Sequence, residues 1–376
     1  MNTKLLIPIS ITVTLLLCSS CKEHNEGTDS NNKNKKVFVD LYSNTYDNGR
    51  IYSSDPARFI DYETMESTVL CSKPNCTHTN SECIGRIVGD CPLMTEDYIY
   101  YFTFVDGVKE LKDGKREPYI NSKLNRISLE TSEKEEVVAF DGIAPAEFNG
   151  MVLSDNRLYF TCDDLNPTAD DYGNYCFNNA GGTHYFCCVD LDTSEFINYG
   201  SIYDDDKQYP GSDNTSNGLI LGYYDNNILV DYHFAKTLEP WDKYGFPEFT
   251  DIMFEFDIDT NSLKQTDMYP IRNIVYKNAY VYYDMEKGRT VIVDHGQVRE
   301  FDIDIGHFVS YFNNKLFDYD NNKWYDLSDM SEHKWIWDQE GYEVIDYYKD
   351  SYIVILGNTT LKLSEDDLFA LDLKEE

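Results

Sequence analysis

Seven times along the chain a polar turn leads into a short strand of alternating apolar and aromatic residues. The step reads Gly49-Arg-Ile-Tyr52, Glu96-Asp-Tyr-Ile-Tyr100, Asp155-Asn-Arg-Leu-Tyr159 and Asn313-Asn-Lys-Leu-Phe317 in its clearest copies. An acidic second turn follows in most of them, as Asp61-Tyr-Glu-Thr64, Asp190-Leu-Asp-Thr193 and Asp257-Ile-Asp-Thr260. A repeat of about 45 to 50 residues with two hairpin turns per unit predicts the blades of a β-propeller. The expected architecture is all-β, with seven four-stranded blades; six or eight sheets would correct that count. The seventh copy is weak. It is completed either by 352–356, 360–363 and 368–373 alone or with Val37 to Tyr42 closing the ring.

With 31 tyrosines and 20 phenylalanines against 11 prolines, the composition favours many short strands joined by tight turns. No long stretch has apolar residues at helical spacing. A single propeller domain is expected over 37–376, because each blade buries its faces against its neighbours. Residues 1–20 read as a signal peptide, with Lys4 before an apolar run from Leu5 to Leu17 that falls short of the roughly 20 residues of a spanning helix. Cys21, after two serines, is the expected lipidation site of a bacterial lipoprotein. Residues 21–36 read as a flexible tether, with no hydrophobe from Lys22 to Lys36. Together these place the mature protein outside the cytoplasm, held to the cell membrane by lipid.

The net charge of −35 is spread along the chain and repels phosphate backbones, so no nucleic-acid partner is expected. A soluble, monomeric extracellular surface accounts for it. In a four-stranded meander the first–second and third–fourth turns share one face, which the tight acidic turns keep trim. The second–third connections share the other, with expected long loops at Thr103–Ser122, Asp163–Thr183 and Ala235–Thr250. Long loops clustered on adjacent blades predict the binding face. Their aromatics, Tyr172, Tyr175, Trp241, Tyr244 and Phe246, are candidate ligand contacts suited to sugar rings or peptides. The alternative is that they fold back as small cores under the loops. Asp204-Asp205-Asp206 is a candidate Ca²⁺ loop or a solvated turn.

Eight cysteines remain beyond Cys18 and Cys21, in two groups of four. Cys162, Cys176, Cys187 and Cys188 are expected in disulfides that staple the blade 3 loop, with the adjacent Cys187 and Cys188 facing opposite ways. Cys71, Cys76, Cys83 and Cys91, with His78, form two disulfides, the favoured expectation for an exported chain, or a site for zinc or another thiophilic metal, or a set of redox-active thiols. At these residues Leu70-Cys-Ser-Lys-Pro-Asn-Cys-Thr-His78 with Cys83 trailing resembles a family of lipoproteins of gut Gram-positive anaerobes. That family carries a Leu-Cys-x-Lys-Pro-x-Cys-Thr-His motif and a propeller domain. The resemblance implies a cell-surface location and this fold, and it brings no assigned activity or ligand. No hydrolase, zincin, dinucleotide or phosphate-loop motif is present. A binding scaffold for a glycan or protein partner is the leading functional expectation. A metal-dependent surface protein using Cys71–Cys91 is the alternative, and a propeller-type carbohydrate-active enzyme with paired carboxylates the second.

Overall fold

The computed structural model describes residues 37–372 except 40–44, 47, 53–54, 72, 74, 89–91, 111–115, 146–149, 165–166, 170–174, 178–182, 205–216, 236–248, 267–273, 277–278, 285, 295, 307–308, 335–341 and 357–358. Cys21, Cys91, Tyr172, Trp241, Tyr244, Phe246, Asp205 and Asp206 lie outside the described residues, as do the expected signal peptide and tether.

Seven antiparallel sheets follow one another along the chain and make a seven-bladed β-propeller. Blade 1 holds Thr45–Tyr46, Gly49–Tyr52, Arg58–Asp61 and Ser67–Val69. Blade 2 holds Leu93–Met94, Tyr98–Glu110, Arg116–Ser128 and Lys134–Asp141. Blade 3 is built on Met151–Ser154, Arg157–Asp164, Thr183–Asp190 and Glu195–Asp204. Blades 4, 5 and 6 begin at Asn217, Ile274 and Val309 and have four strands each. Blade 7 has three: Tyr342–Tyr348, Ser351–Leu356 and Thr359–Ser364.

The repeat in the sequence is the turn chemistry of the blades. First–second turns at Asp155-Asn156, Asn313-Asn314 and Lys349-Asp350 have both residues at positive φ, between 43° and 61°, the two-residue hairpin geometry that matches strand twist. At the third–fourth turn an aspartate oxygen replaces a backbone acceptor: Asp61 Oδ1 takes the Glu63 and Thr64 N–H groups at 2.9 and 2.8 Å, and Asp257 Oδ1 those of Asp259 and Thr260 at 2.9 and 3.0 Å. The two turns of a blade are also joined. Leu191, Ile258 and Leu327 N–H donate to the Asn156, Asn226 and Asn314 carbonyls at 2.8, 2.9 and 2.8 Å. Asn314→Ala is expected to cost about 1–2 kcal/mol, because alanine keeps the Cβ that disfavours its φ of 60° but loses the short polar side chain that offsets it, and Asn314→Gly less. Paired urea titrations of the two variants check this.

Core clusters form a chain around the ring. One unites blades 1, 2 and 3 through Ile51, Leu93, Phe102 and Phe160. Others join blades 3 and 4, 4 and 5, 5 and 6, and 6 and 7. The last, Tyr62 with Ile345 and Ile353, joins blade 7 to blade 1 and closes the circle.

Three expectations are corrected. Val37–Val39 does not join blade 7; it pairs antiparallel with the first strand of blade 3, Val37 opposite Leu153. In the expected strand 368–373, the described residues 368–372 are helical, because Ser364 and Asp367 form a capping box that starts a helix, Glu365–Asp372. The Asp367 N–H meets Ser364 Oγ and the Ser364 N–H meets Asp367 Oδ2, both at 3.1 Å, with three acids in the first turn. Leu368 then packs under Trp324 and Tyr352 where a fourth strand was expected. Lastly, the blade 2 insertion is not a loop, for its second and third strands stay paired over thirteen residues each, out to Glu110 opposite Arg116. Thr103, Phe104 and Val105 on one side and Tyr119 and Ile120 on the other keep β-forming residues in register, which prolongs the ribbon.

The terminal helix is held by Lys315, only 3 % exposed, which meets Glu365 Oε1 at 2.8 Å and Asp326 Oδ2 at 3.3 Å. Lys315→Ala is expected to cost about 3 kcal/mol, at the low end for a broken buried pair because Glu365 is half exposed. Chemical denaturation checks it; a loss under 1 kcal/mol would show that water replaces the ammonium without penalty.

Candidate metal centre

The connection from Val69 to Leu93 leaves blade 1 and enters blade 2 on the face of the second–third connections. It is docked by backbone. The Ala57 N–H donates to the Gly85 carbonyl at 2.7 Å and the Leu70 N–H to the Ala57 carbonyl at 2.9 Å. Gly85 is required here: a Cβ would stand 2.9 Å from the Ala57 carbonyl oxygen. Arg86 pairs with Asp55 at 3.1 Å, and Glu82 reaches Lys134 of blade 2 at 3.7 Å, so the segment bridges the two blades.

Within it the chain doubles back twice. Asn75 and His78 both take left-handed backbone at φ 58°, which turns Cys76 and His78 toward Cys71. The Cys76 N–H donates to the Lys73 carbonyl at 3.3 Å, and Lys73 Nζ reaches across to the Glu82 carbonyl at 2.7 Å. Cys83 then precedes the one-turn helix Ile84–Ile87, and Arg86 Nε donates to the His78 carbonyl at 3.1 Å. The result is a four-donor cluster. The ligand atoms of Cys71, Cys76, His78 and Cys83 all lie within 4.8 Å of one another, with Cys83 Sγ 3.5 Å from His78 Nδ1.

Cys71, Cys76 and Cys83 are free thiols, and Cys83 is fully buried. Burial pushes the Cys83 thiol up to about 11, assisted by the thiols of Cys71 and Cys76 and opposed by the Gly85 N–H. Burial works against the Cys71 thiolate too, but the Ile84 and Lys73 N–H groups and the two neighbouring thiols outweigh it and hold that thiol below its usual range. The cluster thus has the donors to hold a metal ion, and an ion among them would displace the protons that burial retains.

In the second cysteine group, Cys162, Cys187 and Cys188 are fully buried, with Cys162 and Cys187 in the blade 1–3 core and Cys188 in the blade 3–4 core. Cys176 falls in a small hairpin, Pro167–Ala169 with Tyr175–Phe177, where it sits opposite Thr168 and beside Tyr175. One polar pair escaped the sequence reading: His184 Nδ1 lies 2.5 Å from Asp163 Oδ1, directly across the blade 3 strands and buried against Tyr232. Strand alternation alone could have placed the two opposite each other, but not their partner blade.

No protein-family model matches the chain, and no curated protein matches it in sequence. Among solved structures it is similar to an oligogalacturonate lyase in complex with manganese, at 13% identity and TM-score 0.42, over 89% of this chain and 92% of that one. An oligogalacturonate lyase from Vibrio parahaemolyticus gives 13% identity and 0.43, over 86% and 91%. The tricorn protease gives 13% and 0.31, over 72% of this chain and 25% of that one.

Proposed function

We propose that the protein is an extracytoplasmic binding scaffold, lipid-anchored through Cys21, whose working face is reinforced by one zinc ion at Cys71, Cys76, His78 and Cys83. The convergence of those four donors on the face of the long connections carries this reading. Tetrahedral zinc with Zn–S of about 2.3 Å separates neighbouring sulfurs by about 3.8 Å, a spacing that the cluster accommodates. Three thiolates favour a soft ion over calcium or manganese, and four protein ligands leave no open position for a substrate. The ion therefore serves the architecture and not a reaction. It fixes the bridge between blades 1 and 2 on the face of the second–third connections.

The opposite face is sealed by short, cross-bonded turns. Val37, the outer end of its strand, lies opposite Leu153 next to the Asp155-Asn156 turn, so the chain enters the propeller from that trim face. A tether attached there leaves the elaborated face free for a glycan or a peptide. Cell-surface location also accords with the family that the Leu70–His78 motif resembles.

Elemental analysis of protein purified without added metal, together with thiol counting after denaturation in chelator, tests the centre. One zinc per chain and free Cys71, Cys76 and Cys83 are expected. Disulfides among these three would refute it. A glycan array, repeated with Trp241→Ala and Tyr244→Ala, tests the working face.

A further inference from the structure

We infer that Cys162 and Cys187 form a disulfide that clasps the root of the blade 3 insertion, while Cys188 stays a thiol. The inference rests on the reading that the chain is exported. Phe160 lies opposite Cys187, and Cys162 opposite Tyr185, so the two cysteines sit one step apart on the same face of the sheet. Both are fully buried, among Phe102, Phe140 and Phe160. Their sulfurs are 2.9 Å apart, inside the roughly 3.5–4.0 Å at which unbonded carbon atoms pack, although sulfur is the larger atom. Among the described residues no carboxylate or imidazole joins them in a group of three donors, so a metal has too few ligands here. The two cysteine groups thus differ in kind: four donors spaced around a centre in one, two sulfurs in contact in the other.

Cys188 faces the opposite way, into the blade 3–4 core, with its sulfur 3.4 Å from the Tyr199 hydroxyl. No other described cysteine lies in that core.

The chemistry is a two-electron oxidation. The thiols of Cys162 and Cys187 lose two protons and two electrons and gain one S–S bond; a disulfide of the extracytoplasmic space accepts the electrons by exchange and becomes two thiols. Since neither sulfur is exposed in the folded sheet, exchange takes place while the strands are still open, and folding then shields the bond. The bond closes the segment that carries the Pro167–Phe177 hairpin, with Cys162 two residues from the strand end at Asp164 and Cys187 four from the strand start at Thr183.

The test is peptide mapping of the full-length protein from its native host, acid-quenched and alkylated in denaturant without reductant. A Cys162 peptide linked to Cys187, with label on Cys188, is expected. A link from either to Cys176 or Cys188 overturns the pairing. The same mapping after refolding the reduced chain in a glutathione redox buffer separates the two readings. A Cys162–Cys187 link in that sample supports the pairing, and if the cellular sample is then unlinked it is the export reading that fails. No link in either sample overturns the pairing itself. The double variant Cys162→Ala/Cys187→Ala should lower the folding equilibrium constant on the order of a hundredfold in oxidised protein and far less in a comparison of reduced chains.

Discussion

Tyr62→Ala is expected to destabilise the propeller by about 3–5 kcal/mol, the range for removing a fully buried aromatic side chain. The position is where the ring closes. Among the described residues blades 1 and 7 share no strand; their junction is side-chain packing, Tyr62 with Ile345 and Ile353 and the Tyr348 ring 5.7 Å from that of Tyr62, with Lys362 Nζ donating to the Tyr62 carbonyl at 3.1 Å. Burial, with the Asp346 carboxylate beside it, raises the Tyr62 phenol far above its usual range, so the group stays neutral across the accessible pH range. The adjacent polar links are weaker. Lys349 and Glu63 meet at 2.8 Å but both are more than half exposed, so Lys349→Ala is expected to cost under about 1 kcal/mol. Urea unfolding of both variants provides the check. Equal losses would mean that closure is not carried by the Tyr62 cluster.

Much of this fold was legible because propeller turns are local chemistry. Asn313-Asn314 and Asp155-Asn156 announce positive φ within two residues, and Asp257-Ile-Asp-Thr260 announces a side-chain acceptor within four. Elements defined by distant partners were not legible. Val37–Val39 is a plausible closing strand for any blade, and only its packing with Met151 and Leu153 assigns it to blade 3. Asp106-Gly107 looks like a turn, yet Gly107 pairs with Tyr119 in the middle of the ribbon. The helix at Glu365 was legible in principle, since Ser364-x-x-Asp367 is a start signal, but the strand rhythm of the preceding repeats masked it.

The candidate site shows the same division. The Cys71–His78 motif named its donors, while the spacing could not decide between a bond and an ion. What decides the geometry is long-range: the docking of Gly85 on Ala57 carries Cys83 back to Cys71, and no pattern of cysteines encodes that approach.

Cys83→Ser is accordingly expected to reduce zinc from about one per chain to background, because a neutral hydroxyl replaces the buried thiolate that completes the set. Cys91→Ser should keep the ion, since four donors are in place without it. The effect on folding should be local. In isolated zinc fingers the metal contributes roughly 10–16 kcal/mol and the peptide unfolds without it. Here the clusters around the ring do not pass through the cluster's ligands, apart from the edge contact of Cys71 with the blade 1–3 core. The propeller should stay folded while the 70–92 connection opens, since Leu70, Ile84 and Val88 are the aliphatic side chains that anchor it in the core among the described residues between Val69 and Leu93. Limited proteolysis of Cys83→Ser, and of the natural sequence in chelator, should therefore cut within 70–92 at least about tenfold faster, with the far-ultraviolet spectrum unchanged. Equal cleavage with and without chelator would show that the segment is held by its backbone docking on Ala57 and not by the metal.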